Sequence, residues 1–367
     1  MVGISKVSVL VNVFVDPMHA REDPLQIFDS TPPHYAKKKS LLGAWIKSMK
    51  KLQTLLGIAT LTLSVSVFAQ AYPNKPITLV IPFAAGSGTD GVARNVAQKL
   101  SERLKQPVIV ENKAGASAQI AAQYVAKAAP DGYTLFMTTN TSHSANPWMF
   151  KTLSYDPIKD FTPIARVGEL PFAMAINPKL PVNNLQEFID YAKKNPGKLS
   201  YATPNSTSLV AMETIKRISG LDIVGIPYKA SPQAMTDLIA GQVQVYVVDL
   251  GSGMGALKSD RVRTLAVTTA KGSQSFPTVP SIASTVKGFD LTSWNGIFGP
   301  ANLPRPIVDK LNAELQAVFA DKDFQQKLAA TGFELDPTKT PEEFAKYVEF
   351  QLKHWGEMLR GAGVKPE

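Results

Sequence analysis

The chain contains no cysteine in 367 residues. That excludes disulfide staples, a thiolate zinc site, a cysteine nucleophile and the lipid-bearing cysteine of an exported lipoprotein. Histidine is scarce, and beyond residue 71 only His143 and His354 remain. No H-E-x-x-H or comparable cluster occurs, which disfavours a metal site. No G-x-S-x-G elbow accompanies His143 and its neighbours Ser142 and Ser144, so catalytic residues are not indicated. A dense basic stripe interleaved with aromatics is missing as well. Of the net charge of +9, the first 71 residues carry +4, from 8 Lys or Arg against 4 Asp or Glu, and about +5 is left on the rest. Nucleic acid is therefore disfavoured as a partner, whereas a mild positive field assists the capture of anions.

A long, clean apolar run is also lacking. The stretch 52–68 is interrupted by Thr54, Thr60, Thr62, Ser64 and Ser66, and falls short of the roughly 18 apolar residues of a spanning helix. Lys50 and Lys51 precede it and Ala69-Gln70-Ala71 follows it. A positive end, a short apolar core and an A-x-A site describe a cleavable signal peptide over 49–71, cut near Ala71. There is no twin arginine, so ordinary secretion to the periplasm is expected. Residues 1–48 read as an upstream extension without structure of its own, and Met49 rather than Met1 reads as the true start. About 296 residues then remain, enough for two compact domains.

In that remainder, short β-branched runs alternate with helical periodicity. Strands are expected at 77–82, 107–110 and 133–138, with helices at 91–104 and 117–128 between them, which implies a parallel sheet. The pattern restarts with strands at 172–176, 199–202, 224–226, 244–248 and 263–267 and helices at 185–194, 207–219, 232–240 and 253–258. Helices at 304–320, 322–331 and 341–360 close the chain. Without a flexible Gly/Ser linker, this predicts an α/β fold of two lobes, two sheets flanked by helices, joined by short crossings near 170–176 and 291–298 with a hinge. The expected division is 72–172 plus 296–367 for lobe 1 and 173–295 for lobe 2.

The densest chemical signal is the run from Ile77 to Gly91, ITLVIPFAAGSGTDG. A buried strand leads into a loop of glycines and hydroxyls and then a helix start, where amide groups carry partial positive charge and hold anions. Asp90 there serves either as an N-cap or as a ligand contact. The same run also satisfies G-x-G-x-x-G, with Glu111 about 20 residues on. That supports an alternative, a nucleotide-cofactor-binding oxidoreductase. Against it, Pro82 to Ala85 separate the first glycine from the strand, and an exported protein lacks access to that cofactor pool; no cofactor is expected. A second loop of this kind, Thr203-Pro204-Asn205-Ser206-Thr207-Ser208, follows the strand at 199–202. If the lobes face each other, two helix N-termini point into one cleft, which suits a dicarboxylate. Asp249 reads as an acceptor for a ligand amino or hydroxyl group or as a strand-end aspartate, and Lys229 as a carboxylate partner or a solvated loop lysine.

The chain resembles the extracytoplasmic solute-binding proteins of tripartite tricarboxylate transport systems, the Bug family. The resemblance covers 72–364. It rests on Tyr72-Pro73 with Lys75-Pro76-Ile77, Pro82-Phe83 to Asp90, Val110-Glu111-Asn112-Lys113 with Gly115, Pro130-Asp131-Gly132-Tyr133-Thr134-Leu135, and Tyr155-Asp156-Pro157 with Asp160-Phe161. Pro227-Tyr228-Lys229, Gly241-Gln242-Val243 and Trp294-Asn295-Gly296 complete it. It implies a two-lobed type II periplasmic-binding (Venus flytrap) fold, without enzymatic activity, that closes on a small organic carboxylate and serves membrane permease subunits, itself a monomer. The acid is a di- or tricarboxylate, an amino acid or an aromatic acid. Binding is carried onto Phe83, Ala84, Gly86, Ser87 and Asp90, onto Thr139 and Asn140, onto Asn205, Ser206, Thr207 and Ser208, and onto Asp249. The chain departs from the family in Gly86-Ser87-Gly88, in Ala114-Gly115-Ala116-Ser117-Ala118 and in Pro204 to Ser208, each usually richer in glycine.

Overall fold

In the computed structural model the described residues are 72–367, with Trp45 isolated before them. The expected leader at 49–71 and the extension at 1–48 lie outside the described residues. Strand β1 (Ile77–Ile81) sits between β2 (Val108–Asn112) and β3 (Thr134–Thr139), all three parallel. Their crossovers contain α1 (Gly88–Leu104) and α2 (Gln119–Ala126). After β3 the backbone makes a π-helical turn, Thr141–Ala145, and the single turn α3 (Asn146–Met149). It then enters β4 (Phe161–Ile176), 16 residues long.

That strand links both halves of the sheet. Residues 161–171 pair antiparallel with β9 (Thr292–Pro300), which also pairs with β3. Residues 172–176 pair antiparallel with β7 (Val245–Asp249) and β8 (Arg263–Val267). Only the second half of β4 is expected from sequence, because Pro163, Gly168 and Pro171 break the pattern of the first. Register shifts at Pro163/Ala165 and Arg166/Gly168 take up those residues without ending the strand.

Helices α4 (Leu185–Lys194), α5 (Ser206–Ser219), α6 (Ser231–Ala240) and α7 (Leu250–Leu257) surround the second half, with β5 (Ser200–Thr203) and β6 (Val224–Pro227) parallel to each other and β5 parallel to β7. The chain closes with α8 (Arg305–Phe319), α9 (Lys322–Ala330), the short β10 (Glu334–Leu335) on β4, and α10 (Pro341–Ala362).

Strand alternation distributes the apolar side chains over both sheet faces. Ile77, Leu79 and Ile81 pack with Val92, Val96 and Leu100 of α1, whereas Val80 faces Phe136, Trp294 and Phe344. In β4, Met174 and Ile176 face one cluster and Ala173 and Ala175 another. Helix α10 spans both halves, with Phe344 and Val348 in the aromatic cluster of the first and Trp355 and Leu359 in the core of the second. Among the described residues no helix is long and apolar enough to cross a membrane.

Candidate interlobe binding cleft

The loop between β1 and α1 is braced from within. Ser87 is the N-cap, its Oγ accepting from the Asp90 amide at 3.2 Å. Asp90 folds back, so that its Oδ2 accepts from the amide of Gly86, the residue before the N-cap, at 3.0 Å. Gly86 allows this through a φ of +80°. Arg94 Nε and Asn112 Nδ2 donate to the same carboxylate at 3.0 and 2.9 Å, and Asn112 also holds the Phe83 carbonyl at 2.9 Å. Burial acts to raise the Asp90 carboxyl, but the bonds from Arg94, Asn112 and Gly86 outweigh it and hold it below the usual range. Asp90 therefore shapes the loop from behind, while Glu111 pairs with Lys113 at 2.6 Å.

The loop before α5 follows the same logic. Asn205 is its N-cap, accepting from the Ser208 amide at 2.9 Å, and Ser208 Oγ donates to the Val247 carbonyl at 2.7 Å. Asn140, fully buried after β3, donates to Ser206 Oγ and Thr207 Oγ1, both at 3.1 Å, and accepts from Ser293 Oγ. Thr141 Oγ1 lies 2.9 Å from Ser206 Oγ, and the Thr139 hydroxyl accepts from the Thr141 amide at 3.2 Å. At the end of β7, Asp249 accepts from the Ser252 amide at 2.7 Å and from its hydroxyl at 2.6 Å, and its Oδ1 packs against Gly88, where a Cβ would come within 2.1 Å. Burial raises its carboxyl above the ordinary range, against the pull of those bonds.

Two adjoining cavities lie between these loops. The inner one, about 20 Å³, is lined by Ser87, Gly88, Thr139, Asn205, Asp249 and Ser293 among others. The outer one, about 540 Å³, is lined by Phe83, Thr141, Asn205, Ser206, Tyr228 and Lys229 and by the loop Gly115 to Ala118, among others. Phe83 and Asn205 border both cavities, so the two loops that the sequence singles out share one space. Of the expected residues, Phe83, Ser87, Thr139, Asn205, Ser206 and Asp249 reach a cavity wall. Ala84 and Gly86 line neither cavity, Gly86 facing Pro232 of α6, and Asp90, Asn140, Thr207 and Ser208 are buried in the bracing network.

The two helix ends offer the same kind of group. At α1 the Gly86 and Asp90 amides are taken by Asp90 and Ser87, and the Gly91 amide by the Ser87 carbonyl. At α5 the Ser208 and Leu209 amides are bonded to Asn205. The first two amides of each helix, Gly88 and Thr89 in α1 and Ser206 and Thr207 in α5, are without a hydrogen-bond partner among the described residues. Sequence reasoning missed Thr141 and Ser293, and the hydroxyl-rich run Thr138 to Ser144 is a signal for the first. The turn at 115–118 stands out in the sequence only as a departure from a glycine-rich run, and its φ of +45°, +50° and +72° at Ala116, Ser117 and Ala118 are angles that normally call for glycine. Among the described residues no group of three or more His, Cys, Asp or Glu is arranged to hold a metal ion.

The family model described as the tripartite tricarboxylate transporter family receptor matches residues 92–364. The chain belongs to this family. A UPF0065 protein of Bordetella bronchiseptica is similar to this receptor at 38% identity, over 85% of this chain and 93% of the relative. Among solved structures, a Rhodopseudomonas palustris protein with adipate aligns with a TM-score of 0.78 and 33% identity, over 81% of this chain and all of the other. The periplasmic binding protein BugD aligns with a TM-score of 0.77 and 34% identity, over the same shares. The receptor thus has the two-lobed α/β type II periplasmic-binding fold, with β4 running from one half into the other.

Proposed function

We propose that this receptor is the extracytoplasmic solute-binding component of a tripartite tricarboxylate-type transporter. It captures a small organic carboxylate between lobe 1 (72–172 and 296–367) and lobe 2 (173–295), then presents the closed form to membrane permease subunits as a monomer in the periplasm, after cleavage near Ala71. The single observation that carries the reading is the shared cleft: the loops at the N-termini of α1 and α5 border the same two cavities. The adipate in the R. palustris relative supports an acid as the cargo.

The chemistry follows from the wall. Phe83, Ser87 and Thr139 contribute from one lobe, and Asn205 and Ser206 from the other, with Ala84, Gly86, Asp90, Asn140, Thr207, Ser208 and Asp249 supporting them. The unoccupied amides at the start of α5 receive a carboxylate without any charged side chain, and Lys229, which has no ion pair among the described residues, adds a positive charge at the cavity rim. The outer volume admits a di- or tricarboxylate, an amino acid or an aromatic acid, with water filling the remainder. Micromolar affinity corresponds to about −8.2 kcal/mol, within reach of two charge-assisted bonds and the burial of the acid's body. A thermal-shift screen against a carboxylic acid panel that includes adipate tests this. A raised melting temperature with at least one acid is expected, and no shift with any acid at millimolar concentration overturns it.

A further inference from the structure

At the inner corner of the cleft two helices meet end to end. Helix α1 starts at Gly88, and Gly251 lies in the first turn of α7; a Cβ on Gly251 would sit 2.8 Å from the Gly88 Cα. Both ends are N-termini, so both carry the positive pole of a helix dipole, and face to face they repel. The Asp249 carboxylate lies between them. It accepts from the amide and hydroxyl of Ser252 on its own helix and packs against Gly88 of the other. A Cβ on Gly88 would come within 2.1 Å of Asp249 Oδ1 and 2.5 Å of Leu170 Cδ2, so the approach requires glycine there.

We infer that Asp249 is a positioning residue for lobe closure rather than a ligand-binding group: one carboxylate neutralises two opposed helix ends and rivets the lobes together without cargo. The inference rests on the closure mechanism proposed above and reassigns a residue that the sequence offers as a ligand contact. The space beside the rivet, about 20 Å³, holds one water, and the larger cavity runs beside the start of α5. On opening, Asp249 keeps its bonds to Ser252 and only its contact with Gly88 passes to water. The device is therefore a reversible contact between lobes and not part of either lobe's own core.

The absence of native cysteine allows a clean test. Spin labels on Glu102→Cys in α1 and Lys193→Cys in α4, both exposed positions, report the distance between lobes by pulsed electron paramagnetic resonance without any ligand. The parent protein is expected to show one short distance, with a longer, open population below about 10%. Asp249→Ala, and independently Gly88→Ala, are expected to raise the open population to about half or more, with circular dichroism unchanged. Asp249→Asn, which keeps the shape and loses the charge, should lie between. Unchanged distances in both Asp249→Ala and Gly88→Ala overturn the inference, as does a parent that is already open, or loss of fold in both variants. A parent that closes in this way yet binds no acid would instead refute the carboxylate reading alone.

Discussion

Asn140 reaches from the end of β3 to the start of α5, its Nδ2 3.1 Å from Ser206 Oγ, with no solvent exposure. The same amide group serves Thr207, and its oxygen accepts from Ser293, so one side chain satisfies three hydroxyls from two parts of the fold.

Removing it has a defined cost. Asn140→Ala leaves those buried hydroxyls without their shared partner and should lower unfolding stability by about 2 kcal/mol. Urea denaturation measures this, and a loss below about 0.5 kcal/mol would mean that the network contributes little.

Asp90 makes a pH-dependent contribution. Its carboxyl is depressed in the folded protein by Arg94, Asn112 and the Gly86 amide, which outweigh its burial. A depressed carboxyl stabilises the fold above its unfolded value near 3.8, and the benefit is lost as pH falls through the folded value. Asp90→Asn should therefore be less stable than the parent at pH 7, with the gap closing below about pH 4. A gap that persists unchanged at pH 2.5 would assign the effect to shape alone.

His143 works in the same direction over a higher pH range. It is fully buried beside Phe161 and Phe298, and burial pushes its imidazole down to about 3 from 6.5. The unfolded chain takes up a proton as pH drops below 6.5 while the folded chain does not, so stability declines between about pH 6.5 and 3. His143→Gln should flatten that decline. Equal slopes in parent and variant would contradict the assignment.

Periodicity carries most of the architecture. The helix Leu185–Lys194 and the strand Arg263–Val267 match their expected bounds, because each has a clean apolar pattern and polar or proline flanks. The first half of β4 is hidden by its prolines and glycine, and its strand character comes from pairing with a distant β9. The start of α1 is hidden too, since Gly88 and Thr89 are poor helix formers that tertiary contacts override. For the site, glycines and hydroxyls next to helix starts point to the right two loops. They do not reveal how each loop is braced: that depends on Asp90 folding back on Gly86 and on Asp249 packing against Gly88 from about 160 residues away. A contact of that separation leaves no local pattern to read.

The central claim is that the first amides of α5 hold the carboxylate of the cargo, and Ser206 offers a direct way to remove one of them. Proline is tolerated at the first helical position, where the amide has no helical partner, and Asn205 before it is already extended, at φ −153° and ψ 168°. The acid that shifts the melting temperature most is titrated calorimetrically into the parent, Ser206→Ala and Ser206→Pro. The alanine variant loses the hydroxyl but keeps the amide and should bind within about threefold of the parent. The proline variant loses both and should bind about ten- to hundredfold more weakly, the worth of one hydrogen bond to a charged group. Equal affinities for the alanine and proline variants would contradict the account.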